Sequence, residues 1–162
     1  MKVAIITAST AVYKGEQEDA SGKVIRKMVE EAGLDVVFMK ALPTDKTVLS
    51  TVFQRMADGN LADLILTTGG TGFAPRDMTP EATIAVCDRM ANGIADAIRN
   101  YSMTITDRAM FSRAVSGLRK KTLIINLPGS PKAVTEALEY ILSKLPHGLD
   151  VLRGNVQECG RK

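Results

Sequence analysis

The sequence predicts an α/β fold, a three-layer arrangement in which helices cover both faces of a mostly parallel sheet. Three observations lead there. Residues 3–6 and 123–125 are continuous apolar runs without polar alternation, as strands buried on both faces require. Between such runs lie segments whose apolar residues recur at helical spacing, so strands and helices alternate along the chain. A chain of 162 residues, 45% hydrophobic and 24% charged, can close a core without staples, and residues 1–162 read as a single domain.

The elements follow in order. The first strand covers residues 3–7, and the polar residues 9–19, which include Gly15, read as a loop. A helix starts near Ser21, with Val24, Ile25, Met28, Val29 and Ala32 on one face and Gly33 placed to end it. Residues 36–38 give a second strand. After the break at Pro43, Thr44 or Asp45 can cap a helix whose apolar face is Val48, Leu49, Val52, Phe53 and Met56; Gly59 and Asn60 stop it. Residues 64–66 form the third strand.

Thr79-Pro80-Glu81 then opens a helix, with Thr79 as N-cap, Pro80 at the first helical position and an acid in the first turn. Its pattern continues to about Met90 and resumes after Gly93 to about Met103. Residues 104–121 show no clear period, and 114–118 fit a short strand or an irregular excursion equally. Residues 123–125 are a buried strand and 128–131 a turn. The last helix carries Val134, Ala137, Leu138, Ile141, Leu142 and Leu145 on one face, the strongest amphipathic pattern in the chain.

Composition removes several function classes. The net charge is only +3, no lysine-arginine block exists, and aromatic residues make up 4%, so a nucleic-acid platform is not expected. Cys87 and Cys159 are far apart and lack a second ligand pair, which argues against structural zinc. The first apolar run is too short for a signal peptide, and no run approaches the ~20 apolar residues that span a bilayer. The expectation is a cytoplasmic protein without a membrane partner.

In open parallel sheets ligands bind beyond the carboxyl ends of the strands. Loops 9–19, 43–46, 69–77 and 127–132 all fall there. The most informative stretch is residues 67–83, TTGGTGFAPRDMTPEAT. Gly69, Gly70 and Gly72, around Thr71, let backbone N–H groups approach an anion. Arg76 can fork onto phosphate oxygens or stand solvated. Asp77 can bind Mg²⁺, or it is an extra carboxylate near a helix start that Thr79 already caps. The stretch matches neither the P-loop nor the dinucleotide fingerprint. At 127–132, a helix opening at Pro131 beside Ser130 and Lys132 is either an anion site or a plain capped start with a surface lysine. His147, the only histidine, reads as helix-end packing or capping rather than as a general base.

Residues 67–83 resemble the signature of the molybdopterin adenylyltransferases, the MogA/MoaB family, which acts late in molybdenum cofactor synthesis. Ser112-Arg113, Gly117, residues 123–131 (LIINLPGSP) and Leu145-Pro146-His147 also match, so the resemblance runs from about residue 2 to about residue 154. It implies the MogA/MoaB-like molybdopterin-binding fold and a nucleotidyltransferase. The implied reaction transfers AMP from Mg-ATP to the terminal phosphate of molybdopterin and releases pyrophosphate. ATP and molybdopterin would be the substrates, Mg²⁺ the cofactor, and a homotrimer the assembly, with hexamers in some members. By the same resemblance Asp77 is catalytic and holds the metal. Gly69, Gly70, Thr71, Gly72 and Arg76 contact the nucleotide phosphates. Ser130 and Lys132 hold the pterin or its terminal phosphate, with Ser112 and Arg113 nearby.

Two positions depart from the family pattern. A proline at position 43 is often followed in the family by one or two acids, the first implicated in catalysis; this chain has Pro43-Thr44-Asp45. Asp45 serves by a small loop shift, or the site runs with one acid fewer and Asp45 caps the next helix. The family commonly shows Ser-Asp after the first strand, where this chain has Ser9-Thr10, although Asp19, Ser21 and Gly22 match the pattern that follows. Asp19 either touches nucleotide or helps start the helix. These departures keep two rivals open: a non-catalytic molybdopterin-binding homologue, and a hydrolase of nucleotide pyrophosphate bonds.

Overall fold

The computed structural model describes residues 1–156, so Cys159 lies outside the described residues. Six strands form one sheet among them: β1 (Lys2–Ala8), β2 (Asp35–Leu42), β3 (Leu64–Thr68), β4 (Arg89–Met90), β5 (Ser116–Arg119) and β6 (Thr122–Leu127), in the order β2-β1-β3-β6-β5-β4. The first four strands of that order are mutually parallel. β5 pairs antiparallel with β6 and with β4. The helices are α1 (Thr10–Tyr13), α2 (Ala20–Glu31), α3 (Lys46–Asp58), α4 (Thr79–Val86), α5 (Gly93–Met103), α6 (Pro131–Ile141) and α7 (Leu145–Arg153).

Alternate residues of each central strand go to opposite faces. Val3, Ile5, Leu64, Leu66, Ile125 and Leu127 pack with residues of α2, α5, α6 and α7. Ala4, Ile6, Ile65 and Ile124 pack with residues of α3 and α4. The three layers expected from the apolar runs follow from this division. At the far end of the sheet from the loops, the Lys2 N–H donates to Asp63 Oδ2 at 2.8 Å, and Arg153 pairs with Asp63 Oδ1.

The structure differs from the sequence reading in four places. The loop at 9–19 contains α1, a single helical turn whose Val12 N–H is accepted by Ser9 Oγ. α4 stops at Val86 instead of running to Met90, because Cys87 turns extended and Arg89–Met90 pair with β5. The long last helix is two helices, with a 3-10 turn at Leu142–Lys144 and Pro146 in the first turn of α7. Thr79 is not an N-cap: Met78 holds that position without a side-chain bond, and Thr79 is the first residue of α4.

Candidate active site

The order of the sheet reverses between β1 and β3, the position at which the loops of a doubly wound sheet part and leave a crevice. A cleft of about 620 Å³ lies there. All four loops singled out by the sequence reach it: Ser9, Thr10 and Asp19 after β1, Thr44 after β2, Gly69, Gly70 and Asp77 after β3, and Gly129 after β6. Two hydroxyls fix the last loop from its neighbours. Thr68 Oγ1 donates to Pro128 O at 2.5 Å and Ser21 Oγ to Gly129 O at 2.8 Å.

The glycine loop follows from its φ angles. Gly69 and Gly70 have φ of +86° and +64°, left-handed values that side chains resist. A Cβ on Gly69 would stand 2.7 Å from Ala8 O, and one on Gly70 2.4 Å from Thr79 Oγ1. Thr79 binds this turn twice: its Oγ1 donates to Gly69 O at 2.9 Å and its N–H to Gly70 O at 3.1 Å. Thr71, next in the loop, is buried.

Asp77 closes the rest of the loop. Its Oδ2 accepts from Gly72 N at 3.1 Å and from Ala74 N at 3.3 Å, while its own N–H donates to Ala74 O at 2.8 Å. The side chain is half-buried on the cleft wall, next to the exposed Arg76, which also lines the cleft. The cleft otherwise carries the acids Glu16, Glu18 and Asp19. A polyphosphate in such surroundings needs a cation to offset the repulsion.

The remaining candidate residues divide. Thr44 lines the cleft, and its N–H donates to Thr10 Oγ1 at 3.1 Å, so the two threonines singled out by the sequence are bonded to each other. Asp45 is exposed, is not among the cleft-lining residues, and caps α3, with Oδ1 accepting from Val48 N at 2.9 Å. Asp19 caps α2 through Gly22 N at 2.9 Å, and its other oxygen accepts from Thr7 Oγ1 at 2.8 Å, so both oxygens hold structure. Ser130 caps α6, accepting from Ala133 N at 3.3 Å, and Lys132 is exposed in the same first turn; their neighbours Gly129 and Pro131 line the cleft. His147 lies in α7 and is not among the lining residues.

Ser112 opens on a second cavity of about 220 Å³, lined also by Thr71, Arg99, Ser102, Arg108 and Gly129. Gly129 is common to both cavities. The buried Ser102 hydroxyl has no hydrogen-bond partner, although buried polar groups are nearly always paired. The sequence reading passed over Ser102. The available signal was a hydroxyl in an apolar stripe, since Ala95, Ile98 and Ser102 are the buried residues of α5.

Arg113 lines neither of these two cavities; it faces the glycine loop and borders a third, open hollow of about 430 Å³ with Phe73, Asp77 and Glu81. Its guanidinium donates to Gly72 O and Asp77 O, both at 2.7 Å, and pairs with Glu81. Burial acts to raise the Glu81 carboxyl, but the hydrogen bonds from Arg113 and its own backbone, with the Arg113 charge, hold it below the usual carboxylate range.

Comparison with known proteins gives a consistent set. A family model described as "Probable molybdopterin binding domain" matches residues 4–147. A protein of Helicobacter pylori named molybdopterin adenylyltransferase is 36% identical over 162 residues, covering 99% of this chain and 92% of that one. The crystal structure of the molybdopterin biosynthesis enzyme MoaB of Thermus thermophilus superposes with a TM-score of 0.88 at 41% identity, covering 94% of this chain and 96% of that chain. The molybdopterin biosynthesis Mog protein of Mycobacterium ulcerans gives 0.87 at 36% identity, with coverage of 94% and 97%.

Proposed function

The chain belongs to the molybdopterin-binding domain family, and on that premise we propose that it is a molybdopterin adenylyltransferase of molybdenum cofactor biosynthesis. The observation that carries the reading is the cleft at the β1/β3 switch point, with a left-handed glycine turn and a carboxylate on one wall and a second cavity across Gly129. ATP occupies the first cavity and molybdopterin the second, so that their phosphates meet beside Gly129. A terminal phosphate oxygen of molybdopterin attacks the α-phosphorus of ATP. The new P–O bond forms as the bond from the α-phosphorus to the bridging oxygen of the β-phosphate breaks, and pyrophosphate leaves. The attacking group is already anionic, so no strong base is required.

The protein's part is positioning and charge neutralisation. The turn at Gly69 and Gly70 lines the nucleotide cavity, with Arg76 beside it; Thr71 lies against the second cavity, and Gly72 contributes through its bond to Asp77 Oδ2. Mg²⁺ fits the donor set in one mode. Among the described residues no cluster of three acids, cysteines or histidines could cage a metal. Mg²⁺ characteristically takes one or two carboxylates and completes its shell with substrate phosphates and water. Asp77 uses Oδ2 for the loop amides, and Oδ1 is the oxygen left for a cation. When bound, Mg²⁺ supplies positive charge to the phosphates. Ser112, Ser130 and Lys132 are assigned to the pterin and its phosphate. Asp45 stays outside the chemistry in this reading: it caps α3 and is not among the cleft-lining residues.

The chain is proposed to act as one domain, in the cytoplasm, within a homotrimer. Support for self-association is the edge-to-face pair of Phe73 and Phe111, which are 68% and 51% exposed. No helix among the described residues is long and apolar enough to cross a membrane. Thr44 on the cleft wall, at the position where the resemblance implies an acid, favours the second reading, a homologue that binds molybdopterin without turning ATP over.

The test mixes the protein, Mg-ATP and fresh molybdopterin and follows the adenylylated pterin by mass, beside Asp77→Asn. Product from the native protein, and at least ~10²-fold less from the variant, is expected. Pterin binding without product would select the second reading, and AMP released without pterin would select a pyrophosphate hydrolase.

A further inference from the structure

Arg113 comes from the segment between the 3-10 turn Asp107–Phe111 and β5, remote in sequence from the glycine loop. Every nitrogen of its guanidinium has a protein acceptor. Nε donates to Gly72 O at 2.7 Å, Nη2 to Asp77 O at 2.7 Å and Glu81 Oε2 at 3.4 Å, and Nη1 pairs with Glu81 Oε1. Its backbone N–H donates to Thr71 O at 2.8 Å. The two carbonyls it holds belong to the two ends of the turn 72–77. Asp77 Oδ2 closes the same turn from inside, through Gly72 N and Ala74 N. One cation and one carboxylate therefore grip a single turn.

Arg113 is itself held. Arg99 on α5 donates from Nε to Ser112 O at 3.0 Å and from Nη2 to Ala114 O at 2.7 Å, the residues on either side of Arg113. Asp96 pairs with the remaining Arg99 nitrogen at 2.7 Å. Two arginines in series thus run from α5, through the 112–114 segment, to the turn that carries Asp77. Both guanidinium groups bridge pairs of carbonyls, which a planar fork can do and a single ammonium cannot.

We propose that Arg113 is the positioning residue for Asp77, with Glu81 as its counter-ion, and that it sets the Asp77 carboxylate rather than holding the pterin. The inference rests on the transferase reading and adds to it a residue that acts through another. Displacing a reacting group by about 1 Å costs on the order of 10²-fold in rate. Arg113→Lys keeps the charge and loses the bridge.

The experiment compares Arg113→Lys, Glu81→Gln, Asp77→Asn and the double variants in single-turnover and steady-state adenylylation, after thermal unfolding has shown each folded. Arg113→Lys should lower kcat by on the order of 10²-fold with KM for molybdopterin unchanged, and Glu81→Gln should lower kcat to a lesser extent. Neither should cost anything further in the Asp77→Asn background, as coupled residues require. Hydrogen exchange gives a readout free of activity: the amides of Gly72 and Ala74 should exchange about tenfold faster or more in Arg113→Lys. A raised KM with kcat intact, losses that add to those of Asp77→Asn, or unchanged exchange at both amides would overturn the proposal. If Arg113→Lys fails to fold, Glu81→Gln decides by the same criteria. Should the native protein make no adenylylated product, the transferase reading falls and hydrogen exchange alone decides the role of Arg113.

Discussion

The hydroxyl of Thr79 donates to the carbonyl of Gly69 across 2.9 Å, from the first residue of α4 back to the residue that follows β3. Thr79 is fully buried. A turn of two left-handed glycines has no ladder of its own, and this bond with the one from Thr79 N–H fixes the direction of its amides.

Thr79→Val keeps the shape and removes the donor. The loss should be about 1–3 kcal/mol of folding stability, read from denaturant unfolding, with weaker ATP binding by calorimetry. Thr79→Ser should recover most of both. A valine variant as stable as the native protein would show that the turn holds itself.

Gly69→Ala puts a methyl at a φ of +86° and 2.7 Å from the Ala8 backbone oxygen, which cannot swing aside. A cost of about 1–3 kcal/mol is expected. Gly93→Ala is the control. A methyl there meets nothing within 4 Å, and alanine suits a helix, so the change should be neutral or stabilising in the same melts.

Asp45→Ala removes the α3 cap and should cost about 1 kcal/mol. The adenylylation rate per folded molecule should stay at the native level. A rate loss beyond the unfolded fraction would place the Asp45 carboxylate in the chemistry despite its present bond.

Asp58 gives a pH dependence. Arg119 reaches its two oxygens at 3.0 and 2.7 Å and Lys120 adds a contact at 2.9 Å; these hydrogen bonds, Arg119 first, hold the carboxyl at about 2 rather than 3.8. A carboxyl with a depressed pKa in the folded state contributes stability that is complete above its unfolded value. That contribution disappears as the pH falls from about 4 through about 2. Asp58→Asn should therefore be less stable than the native protein at about pH 6, with the gap closing by about pH 2. The gap is small and should shrink further with salt, since the group is at the surface.

The parts of the fold most legible in the sequence were those whose burial is complete. Residues 64–66 and 123–125 face helices on both sides, so no polar residue interrupts them and their strands could be read directly. The elements that were missed take their form from neighbours. Arg89–Met90 is an exposed two-residue strand that exists only because β5 pairs with it. The break at Leu142–Lys144 leaves Ile141, Leu142 and Leu145 all buried, so the apolar pattern passes through it unbroken. In the cleft, residue types pointed to the loop that carries Gly69 and Asp77, and that loop does line it. They could not show that Thr79 reaches backward, that Arg113 grips the loop from behind, or that Ser102, its hydroxyl unpaired, lines the second cavity. Each of those depends on contacts between elements that sequence spacing does not encode.

Gly129 is the partition between two rooms, and it has no side chain of its own. A methyl there would meet Gly69 Cα at 3.5 Å, an ordinary contact, so a melting curve would hardly register the change. Both rooms would narrow together. Mutational data at this position therefore have no single owner: a screen scored on one substrate would credit Gly129 to that substrate, and a screen scored on the other would claim it equally.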